Sequence, residues 1–511
     1  MPTIGSEIKM EAEKLIKRHE EKCRRAAEET RRRRRRSTRQ IGKLSAHRPD
    51  RWRYPRFNPY KVRSNSGCIG DSIKRKLRSL SWQPATPIGV EVPKPNGGSR
   101  TISIYPVAES AISRMAFESA ITKNGPLFSA RSYAYRKDLT AQDAVRYMRS
   151  EIDGAERVFV AEYDFSKFFN NISHSHIEET LESKRFALTP VELMIIRGFL
   201  RAMPVPQGEY QYGCAAPVRT RGIPQGTAIS LFLANIAAWK IDHALESIGV
   251  GFIRYADDTV IWSKDYAAIC DAVSALNEHG TAMGVDINYN KSPGISILTP
   301  SSVPEKSVEM KSVHSLEFLG YNLEIGHAKI KNKACHRIKA KVLAIIYDNL
   351  LREVLLGGLS PDRLDGSIDK DYVVLILQLR RYLYGDMSEK LVQRYQRGDV
   401  PFRRFKGLMA AYPHLSDSNQ LLELDGWLLD SIYLALRKRY RILENSGVQA
   451  PAPSGTTREG LLSLRTTSNR TGENVDLRVP SFRRIANIIR RASIAYGTSG
   501  IVSSLPYGYY E

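Results

Sequence analysis

The stretch "FIRYADDTVIW", Phe252 to Trp262, places two adjacent acids, Asp257 and Asp258, inside a β-forming and largely apolar run. Because β-branched and aromatic residues flank a short connection on both sides, the stretch predicts a β-hairpin with the acids at its turn. Two carboxylates about 4 Å apart repel each other by roughly 4 kcal/mol at an effective dielectric near 20. The pair therefore predicts a nearby cation, and hard ions such as Mg²⁺ prefer carboxylate oxygens. A solvent-exposed acidic turn is the alternative.

A third acid precedes the hairpin in the chain. Asp164 ends the predicted strand "RVFVAEYD" and opens the turn "DFSKFFNNI". A carboxylate at a strand end beside a hairpin with two more is the arrangement that two-metal phosphoryl transfer requires, where one ion activates a 3′-hydroxyl and the other stabilises the leaving pyrophosphate. Between these acids, Gly222 and Gly226 of "RGIPQGTAISLFLANI" would let the backbone pass close to a flat substrate. A plain turn entering a core helix is the alternative for this segment.

Charge is the strongest feature of the composition. The 511 residues include 77 Lys plus Arg against 54 Asp plus Glu, which gives a formal net charge of +23. A polyanionic partner is expected, and nucleic acid is favoured because phosphate neutralisation by basic side chains supplies sequence-independent affinity. The sequence has no apolar run of about 18 residues, so we expect no membrane partner. The five cysteines lack the paired spacing of zinc sites, which favours a reducing, cytoplasmic setting.

The order of predicted elements indicates an α+β protein with several units. Residues Glu7 to about Arg39 contain no Gly or Pro and predict one long basic helix. This helix would be either a solvated arm or in contact with an RNA or DNA backbone. The side chains expected to bind nucleic acid there are Arg31, Arg32, Arg33, Arg34, Arg35 and Arg36. The predicted units are a basic helical extension (1–60), an α+β region (61–330), a helical domain (331–444), and a linker with a basic C-terminal helix and tail (445–511).

Several motifs in order resemble the successive blocks of reverse transcriptases: "VPKPNGGSRTISIYPVAESAISRMAF", "DFSKFF", "GIPQGTAIS", "YADD", "NYNKSPG" and "EFLGYNL". The resemblance covers about Pro87 to Tyr321 and is similar to the bacterial class that includes group II intron, retron and phage-defence enzymes. It implies an RNA-directed DNA polymerase with a right-hand polymerase fold. Residues 61–330 would form the fingers and palm, and 331–444 a C-terminal α-helical thumb-like domain.

The resemblance also implies roles for individual residues. Asp164 and Asp257 would bind two Mg²⁺ ions, with Mn²⁺ as a substitute, while Asp258 would be the third acid and the Phe165 carbonyl a further ligand. The residues implied to bind the deoxynucleotide are Lys94 and Arg100 (triphosphate), Phe169 (a steric gate against a 2′-hydroxyl), Gln225 (pocket lining) and Lys291 (proton donor to pyrophosphate). Phe318, Leu319 and Gly320 would form the primer grip.

Departures from the family pattern narrow the subgroup. Group II intron proteins usually carry Ser-Pro after the Gln-Gly block, whereas Leu231 follows Ser230 here, and no Cys follows Cys335 to form a zinc-dependent endonuclease. We find no Val-Thr-Gly element typical of retron enzymes. The chain is therefore most similar to the defence-associated "unknown group" reverse transcriptases, which implies a structured noncoding RNA, a DNA product, dNTPs and a homo-oligomer.

Four other interpretations remain open from the sequence. The chain could be an intron-type maturase, a noncatalytic RNA-binding scaffold, or an RNA-directed RNA polymerase, against which Phe169 argues. Protein-primed synthesis is the fourth, because the tail "LPYGYYE" offers hydroxyl nucleophiles at Tyr507, Tyr509 and Tyr510.

Overall fold

The structure is a computed structural model that describes residues 3–94, 97–183, 185–213, 217–303, 310–385, 387–400, 404–467 and 474–498. The three tyrosines of the C-terminal tail lie outside these ranges. Within them, no helix combines the length and the apolar composition needed to cross a membrane.

The N-terminal region is a long helix with two shorter ones packed on it. It contains α1 (Ile4–Arg36), α2 (Pro59–Ser64) and α3 (Ser66–Arg78), with 3₁₀ turns at Asp50–Arg53 and Pro55–Phe57. The Thr3 side chain caps α1 by accepting from the Ser6 amide, and the helix ends at Ser37, which is extended. It therefore begins and ends about three residues before the predicted bounds. Its thin apolar stripe, Ile8, Ala12 and Ile16, is buried.

The next region alternates helices and strands as the sequence predicts. Its elements are β1 (Ile88–Pro93), β2 (Ser99–Ile104), α4 (Val107–Asn124), a 3₁₀ turn (Gly125–Leu127), α5 (Ala141–Ile152), β3 (Val158–Asp164), α6 (Phe168–Asn171), α7 (His174–Glu182), α8 (Pro190–Arg201), β4 (Val205–Pro206), α9 (Ile229–Ala237), α10 (Trp239–Ile248), β5 (Gly251–Tyr255), β6 (Asp258–Ser263), α11 (Tyr266–Met283), β7 (Gly294–Leu298), β8 (Ser312–Val313), β9 (Leu316–Phe318), β10 (Tyr321–Glu324) and β11 (His327–Ile330).

A five-stranded sheet in the order β5-β6-β3-β7-β8 is the centre of this region. Strand β3 pairs antiparallel with both β6 and β7, and β5 and β6 form the predicted hairpin. The buried positions Val158, Val160 and Tyr163 of β3 pack on hydrophobic cores, while its last residue is only half-buried. Because β6 begins beside the end of β3, the carboxylates of both strands lie close together at this end of the strands.

The C-terminal region is largely helical. Its elements are α12 (Asn332–Ile346), a π-helical turn (Tyr347–Leu351), α13 (Arg352–Leu355), a 3₁₀ turn (Pro361–Arg363), α14 (Lys370–Tyr384), α15 (Glu389–Arg397), a 3₁₀ turn (Leu408–Ala411), α16 (Ser418–Asn445), α17 (Arg458–Ser463), β12 (Arg465–Thr467), β13 (Asn474–Asp476) and α18 (Phe482–Tyr496).

The last helix is part of the same core as the helices before it. Leu428 and Ile432 of α16 and Ile485 and Ile489 of α18 are fully buried in one hydrophobic cluster. The stretch expected to be a linker also contains α17 and β12, and the α17 residue Leu461 is buried in that cluster. The division predicted at residue 444 therefore crosses one continuous core, because α16 needs the apolar face of α18 to cover it.

Candidate active site

The register of the central sheet brings the three predicted acids together. Asp164, at the end of β3, pairs directly with Asp258, the first residue of β6. Asp258 also pairs with Tyr255 across the hairpin, so the connecting loop has only two residues, Ala256 and Asp257. Two neighbouring turns of backbone thus hold all three carboxylates at one edge of the sheet.

The hairpin turn carries backbone strain. Ala256 has φ +61°, a conformation that two-residue hairpin loops require at their first position and that glycine usually supplies. Ala256 is buried, so its methyl group packs in the core while the following residue turns toward the cleft. Strain of this kind costs about 1–3 kcal/mol and persists only where the surroundings hold it. The residues packed against the buried side of the turn therefore hold its backbone in this conformation.

A fully buried arginine lies behind the turn. Arg254 donates through Nη1 to the Ala256 carbonyl at 3.2 Å. Its guanidinium forms a two-point ion pair with Asp242 of α10, at 2.6 Å from each carboxylate oxygen, and Nη2 donates to Ser132 Oγ at 2.6 Å. This role was not predicted from the sequence, because it depends on how α10 and Ser132, 122 residues away, pack against the hairpin.

Asp164 is held by the segment that follows α11. Its Oδ2 accepts from Asn288 Nδ2 at 3.0 Å and forms an ion pair with Lys291 Nζ at 2.9 Å. Its backbone amide donates to Ser292 Oγ at 3.2 Å. The Asp164 carboxylate raises the pKa of the Lys291 ammonium. Lys291, predicted to face the pyrophosphate, thus reaches the acid cluster, and Asn288 is a contact that the sequence did not reveal.

The carboxylates of the hairpin are electrostatically strained. Burial raises the pKa of Asp257, and the neighbouring charge of Asp164 raises it further. Partial desolvation, followed by repulsion from Asp257 and Asp164, raises the pKa of Asp258 from 3.8 to about 6. These shifts mean that the site disfavours its own negative charge and would gain from a bound cation.

The raised pKa of Asp258 predicts how stability depends on pH. The folded protein binds more protons than the unfolded chain between pH 3.8 and about 6, so the protein without metal loses stability as pH rises through this window. Asp258→Asn removes this loss. In EDTA, we expect the Tm of Asp258→Asn minus that of the wild type to increase from pH 4 to above pH 6. Asp271→Asn, on the exposed face of α11, is the control for losing one carboxylate, and an equal trend there would contradict the assignment.

The three acids have the donor chemistry for a divalent ion but are not arranged as a finished cage. In the part of the chain that the structure describes, no three His, Cys, Asp or Glu side chains stand ready to hold a metal ion. Carboxylate oxygens that lie close together and repel each other are ligands that suit Mg²⁺ or Mn²⁺. The contacts of Asp164 with Asn288 and Lys291 use Oδ2 and leave Oδ1 for a cation.

A large open cleft of about 1060 Å³ lies in front of these acids. Asp164 and Asp257 line it on one side, while Lys94 and Arg100 of the β1–β2 hairpin line it on the other. The remaining predicted nucleotide-site residues lining the same cleft are Phe165, Phe169, Gln225 and Lys291. The structure thus brings together side chains from distant blocks of sequence.

The predicted steric gate stands inside this cleft. Phe169 follows Lys167, whose left-handed φ of +48° turns the chain sharply into α6. Its half-buried ring packs edge-on against Tyr135, at 6.4 Å between ring centroids, and against Phe168 at 5.7 Å. Because two aromatic neighbours fix the ring, its edge offers a rigid wall to the cleft.

The glycine-flanked turn serves the protein's own packing. A Cβ at Gly222 (φ +81°) would lie 2.5 Å from the Asn170 carbonyl oxygen, and one at Gly226 (φ +122°) would collide with the Ser103 carbonyl oxygen. We expected these glycines to admit a substrate, so their role differs: they let the turn pack on α6 and β2. Gln225 between them is then fixed, since its carbonyl accepts from the Ser103 amide at 2.7 Å and its Nε2 donates to Asn170 Oδ1 at 3.1 Å.

The predicted primer grip adjoins the acids on the opposite side. Phe318 ends β9, and Leu319 (φ +47°) and Gly320 (φ +87°) form a two-residue turn into β10. These residues line a second cleft of about 430 Å³ together with Asp164 and Asp258. Lys331 and Arg337 also line this cleft and are positively charged, and the sequence analysis did not assign them to the site.

A further acid in the second cleft was missed from the sequence. Glu162 lies two residues before Asp164, on the same face of β3, and burial raises its pKa to about 7. The strand period of two would have indicated this shared face. Glu162 is thus the fourth carboxyl group along this edge.

The arginine run at the end of α1 divides between different surroundings. Arg36 is buried, pairs with Asp371 at 3.1 Å and donates to the Asp348 carbonyl at 2.9 Å. The expectation that all six arginines bind nucleic acid stays a prediction, and Arg36 in addition joins α1 to the helical region through these contacts. Arg31, Arg34 and Arg35 are exposed, while Arg32 and Arg33 are half-buried beside Glu29.

The chain is similar to parts of two curated yeast proteins. It is 30% identical over 161 residues to "Putative COX1/OXI3 intron 1 protein" of Saccharomyces cerevisiae, covering 31% of this chain and 18% of that protein. It is 25% identical over 185 residues to "Uncharacterized 91 kDa protein in cob intron" of Schizosaccharomyces pombe, covering 35% and 21%. The chain thus spans about a fifth of the length of these relatives.

The structural comparison finds telomerase chains. The apo telomerase of Candida tropicalis aligns with a TM-score of 0.37 and 10% identity over 52% of this chain and 60% of that one. The telomerase of Candida albicans in complex with a fragment of telomeric RNA aligns with a TM-score of 0.37 and 10% identity over 75% and 66%.

The family comparison covers the segment that contains the acids and most of the residues lining the two clefts. Residues 92–323 match the family described as "Reverse transcriptase (RNA-dependent DNA polymerase)". The α+β sheet, the basic hairpin facing it and the helical region after residue 331 agree with the predicted right-hand polymerase fold. This segment, just under half of the chain, thus resembles a reverse transcriptase domain.

Proposed function

We propose that the chain is an RNA-directed DNA polymerase that extends a primer with deoxynucleotides, using two Mg²⁺ ions held by Asp164, Asp257 and Asp258, with the Phe165 carbonyl as a further ligand. One observation carries the proposal: the strand register places Asp164 opposite Asp258, and Asp164 and Asp257 line a cleft that Lys94 and Arg100 also line. A polyanionic nucleotide between a basic wall and a metal-binding edge is the arrangement that phosphoryl transfer uses.

The residues around the cleft divide the work of catalysis. Bound at these carboxylates, the divalent ions would polarise the primer 3′-hydroxyl and neutralise the leaving pyrophosphate. Lys94 and Arg100 hold the triphosphate, as a point charge and a planar fork respectively. Lys291, whose ammonium lies beside Asp164, would donate its proton to the leaving pyrophosphate. Gln225 lines the nucleotide pocket, and Phe318, Leu319 and Gly320 position the primer end.

Phe169 provides the first test of nucleotide choice. Its ring is held by Tyr135 and Phe168, so a 2′-hydroxyl would have to displace a fixed side chain. Forcing extra atoms into a packed site costs about 1–3 kcal/mol, or roughly tenfold to a hundredfold in discrimination. We expect Phe169→Ala to raise incorporation of rNTPs relative to dNTPs by about that factor, measured as the ratio of kcat/KM values on an RNA template.

A matched variant separates sugar selection from general damage. Phe159 is a half-buried ring on β3 that packs against Tyr266, at 5.3 Å between ring centroids, and does not line the cleft. Phe159→Ala should leave the ratio of rNTP to dNTP use unchanged. An equal change in both variants, or a wild type that prefers rNTPs, would contradict a deoxynucleotide polymerase.

We also propose that the protein acts as a homo-oligomer on a structured noncoding RNA in a response to phage. The support is the pattern of residues that separates the chain from intron and retron enzymes, including Leu231 after Ser230, together with the formal charge of +23. Sequencing the nucleic acid that copurifies with the protein tests this proposal. One abundant structured RNA with complementary DNA is expected, and random cellular RNA would count against it.

An intron-encoded reverse transcriptase is the second candidate. The observation that favours it is the similarity to two yeast intron proteins over about a third of the chain. Splicing of an RNA that flanks the coding sequence, stimulated by the purified protein, would support this role. No effect on splicing, with polymerisation intact, would favour the defence role.

A further inference from the structure

A second basic site lies where the end of α1 meets the helical C-terminal region. It is a pocket of about 370 Å³ that shares no lining residue with the cleft in front of the acids. We call it the arginine pocket, and its lining residues are Glu28, Arg31, Arg32, Arg35, Arg36, Arg363 and Val374.

Helical spacing selects which arginines face the pocket. Arg31 and Arg35 are four residues apart, as are Arg32 and Arg36, so these two pairs lie along adjacent rows of α1. The two arginines between these pairs do not line the pocket and contact other groups of the protein. Arg33 Nε pairs with Glu29 at 2.8 Å, and Arg34 Nε donates to the Ile41 carbonyl at 3.2 Å.

Ion pairs with buried carboxylates hold the floor of the pocket in place. Arg36 and Arg363 both pair with the buried carboxylate of Asp371, at 3.1 and 2.9 Å. Arg439 joins the same carboxylate at 3.1 Å and Asp369 at 2.7 Å. These contacts join α1 to the C-terminal region, and they fix two guanidinium groups at the base of the pocket.

The rim of the pocket has excess positive charge. Among the described residues, Arg31 and Arg35 make no ion pair and no side-chain hydrogen bond, and Arg32 Nε is buried without a hydrogen-bond partner. Burial lowers the pKa of Arg36 to about 10, and repulsion from Arg32 and Arg363 contributes. The one carboxylate on the lining, Glu28, lies 3.7 Å from Arg24. Guanidinium groups that lie close together and have unused hydrogen-bond donors favour the binding of an anion between them.

We propose that the arginine pocket binds a phosphate group. Guanidinium forks donate paired hydrogen bonds that match phosphate oxygens, and several forks around one space give specificity as well as charge. The volume lies at the lower end of small-molecule pockets, which suits pyrophosphate or a terminal phosphate. The phosphate could belong to an RNA, at its 5′ end or in its backbone, or to a free polyphosphate compound.

A bound phosphate would connect two parts of the protein. Arg31 and Arg35 lie on α1, whose other end is held by the ion pair of Glu7 with Arg114 of α4 at 2.8 Å. Arg363 belongs to the C-terminal region. Binding should therefore stabilise the junction between them, and this role goes beyond the proposed polymerase activity because it uses none of the acids.

The test measures pyrophosphate binding to the full-length protein in EDTA, so that no metal can hold phosphate at the acids. We expect saturable binding that raises the Tm. The double variant Arg31→Gln, Arg35→Gln removes two charge-assisted contacts and should weaken binding about tenfold or more. Both side chains are exposed, so the fold should survive. The control Arg18→Gln, Arg25→Gln removes two exposed arginines from the same helix away from the pocket and should bind within about twofold of wild type.

Competition identifies the source of the phosphate. A 12-nucleotide RNA that displaces pyrophosphate only with a 5′-triphosphate indicates an RNA end, and equal displacement by the 5′-hydroxyl form indicates backbone. Displacement by neither indicates a free polyphosphate. Absence of pyrophosphate binding, or equal loss in both double variants, overturns the proposal. The variant Asp257→Asn, Asp258→Asn should bind pyrophosphate like the wild type, so failure of the polymerase proposal and failure of this one are distinguishable.

Discussion

Replacing Asp257 and Asp258 together by asparagine is expected to abolish DNA synthesis while making the protein without metal more stable. Burial and the charge of Asp164 raise the pKa of both carboxylates, and Asp257 raises the pKa of Asp258 further, so neutral amides remove an electrostatic repulsion from the folded state. The same change removes the negative oxygens that would hold divalent ions. Loss of metal-ion stabilisation, at several kcal/mol, corresponds to a fall in kcat of about a thousandfold or more.

Two measurements on that variant must move in opposite directions. Primer extension with Mg²⁺ should fall to background, while the Tm in EDTA should rise above that of the wild type. Asp265→Asn, Asp271→Asn removes two exposed carboxylates at α11 and is the control for net charge. Undiminished polymerisation would exclude the assigned mechanism, and a lower Tm would mean that the carboxylates stabilise the hairpin instead of straining it.

The sequence predicted the acidic hairpin because its determinants are local. β-forming residues on both sides of a two-residue connection specify the turn, and the order of elements specifies an α+β sheet. The stretch around Asp164 alone did not predict that this residue lies beside the hairpin, and the prediction came from the motifs taken together. Its direct pairing with Asp258 depends on strand register, which a separate stretch of sequence does not encode.

Contacts between distant segments were beyond the sequence. Lys291 meets Asp164 across 127 residues of chain, and Arg36 meets Asn349 across 313. The run of six arginines looks uniform in composition, so nothing in it distinguishes Arg36 from its neighbours. Tertiary packing makes that distinction, by placing the buried carboxylate of Asp371 beside one guanidinium of the run.

The sequence analysis singled out the glycines of the glycine-flanked turn correctly but gave a different reason for their being glycine. Sequence reasoning explained Gly226 by the approach of a substrate, whereas the closest neighbour of its missing Cβ is the Ser103 carbonyl. Both explanations require glycine, and only the structure separates them. Gln225 lines the cleft in front of the acids, and a hydrogen bond between its carbonyl and the Ser103 amide holds it there.

Arg254→Met is expected to destabilise the protein by about 3–5 kcal/mol, because it leaves the fully buried carboxylate of Asp242 without its partner. The double variant Arg254→Met, Asp242→Leu should recover much of that free energy of unfolding, since no unpaired charge remains. Lys240→Met, which breaks an exposed ion pair with Glu179, should cost about 1 kcal/mol or less in urea unfolding. An Arg254→Met variant as stable as Lys240→Met would contradict the assigned role.

Recovery of stability in that double variant should not restore full activity. Arg254 also donates to the carbonyl of Ala256, the strained residue that aims Asp257 into the cleft. Methionine cannot supply this hydrogen bond, so the turn can relax even where the core is repacked. We therefore expect primer extension to stay well below the wild-type rate at a temperature where both proteins are folded. Equal rates would show that the turn keeps its geometry without the buried arginine.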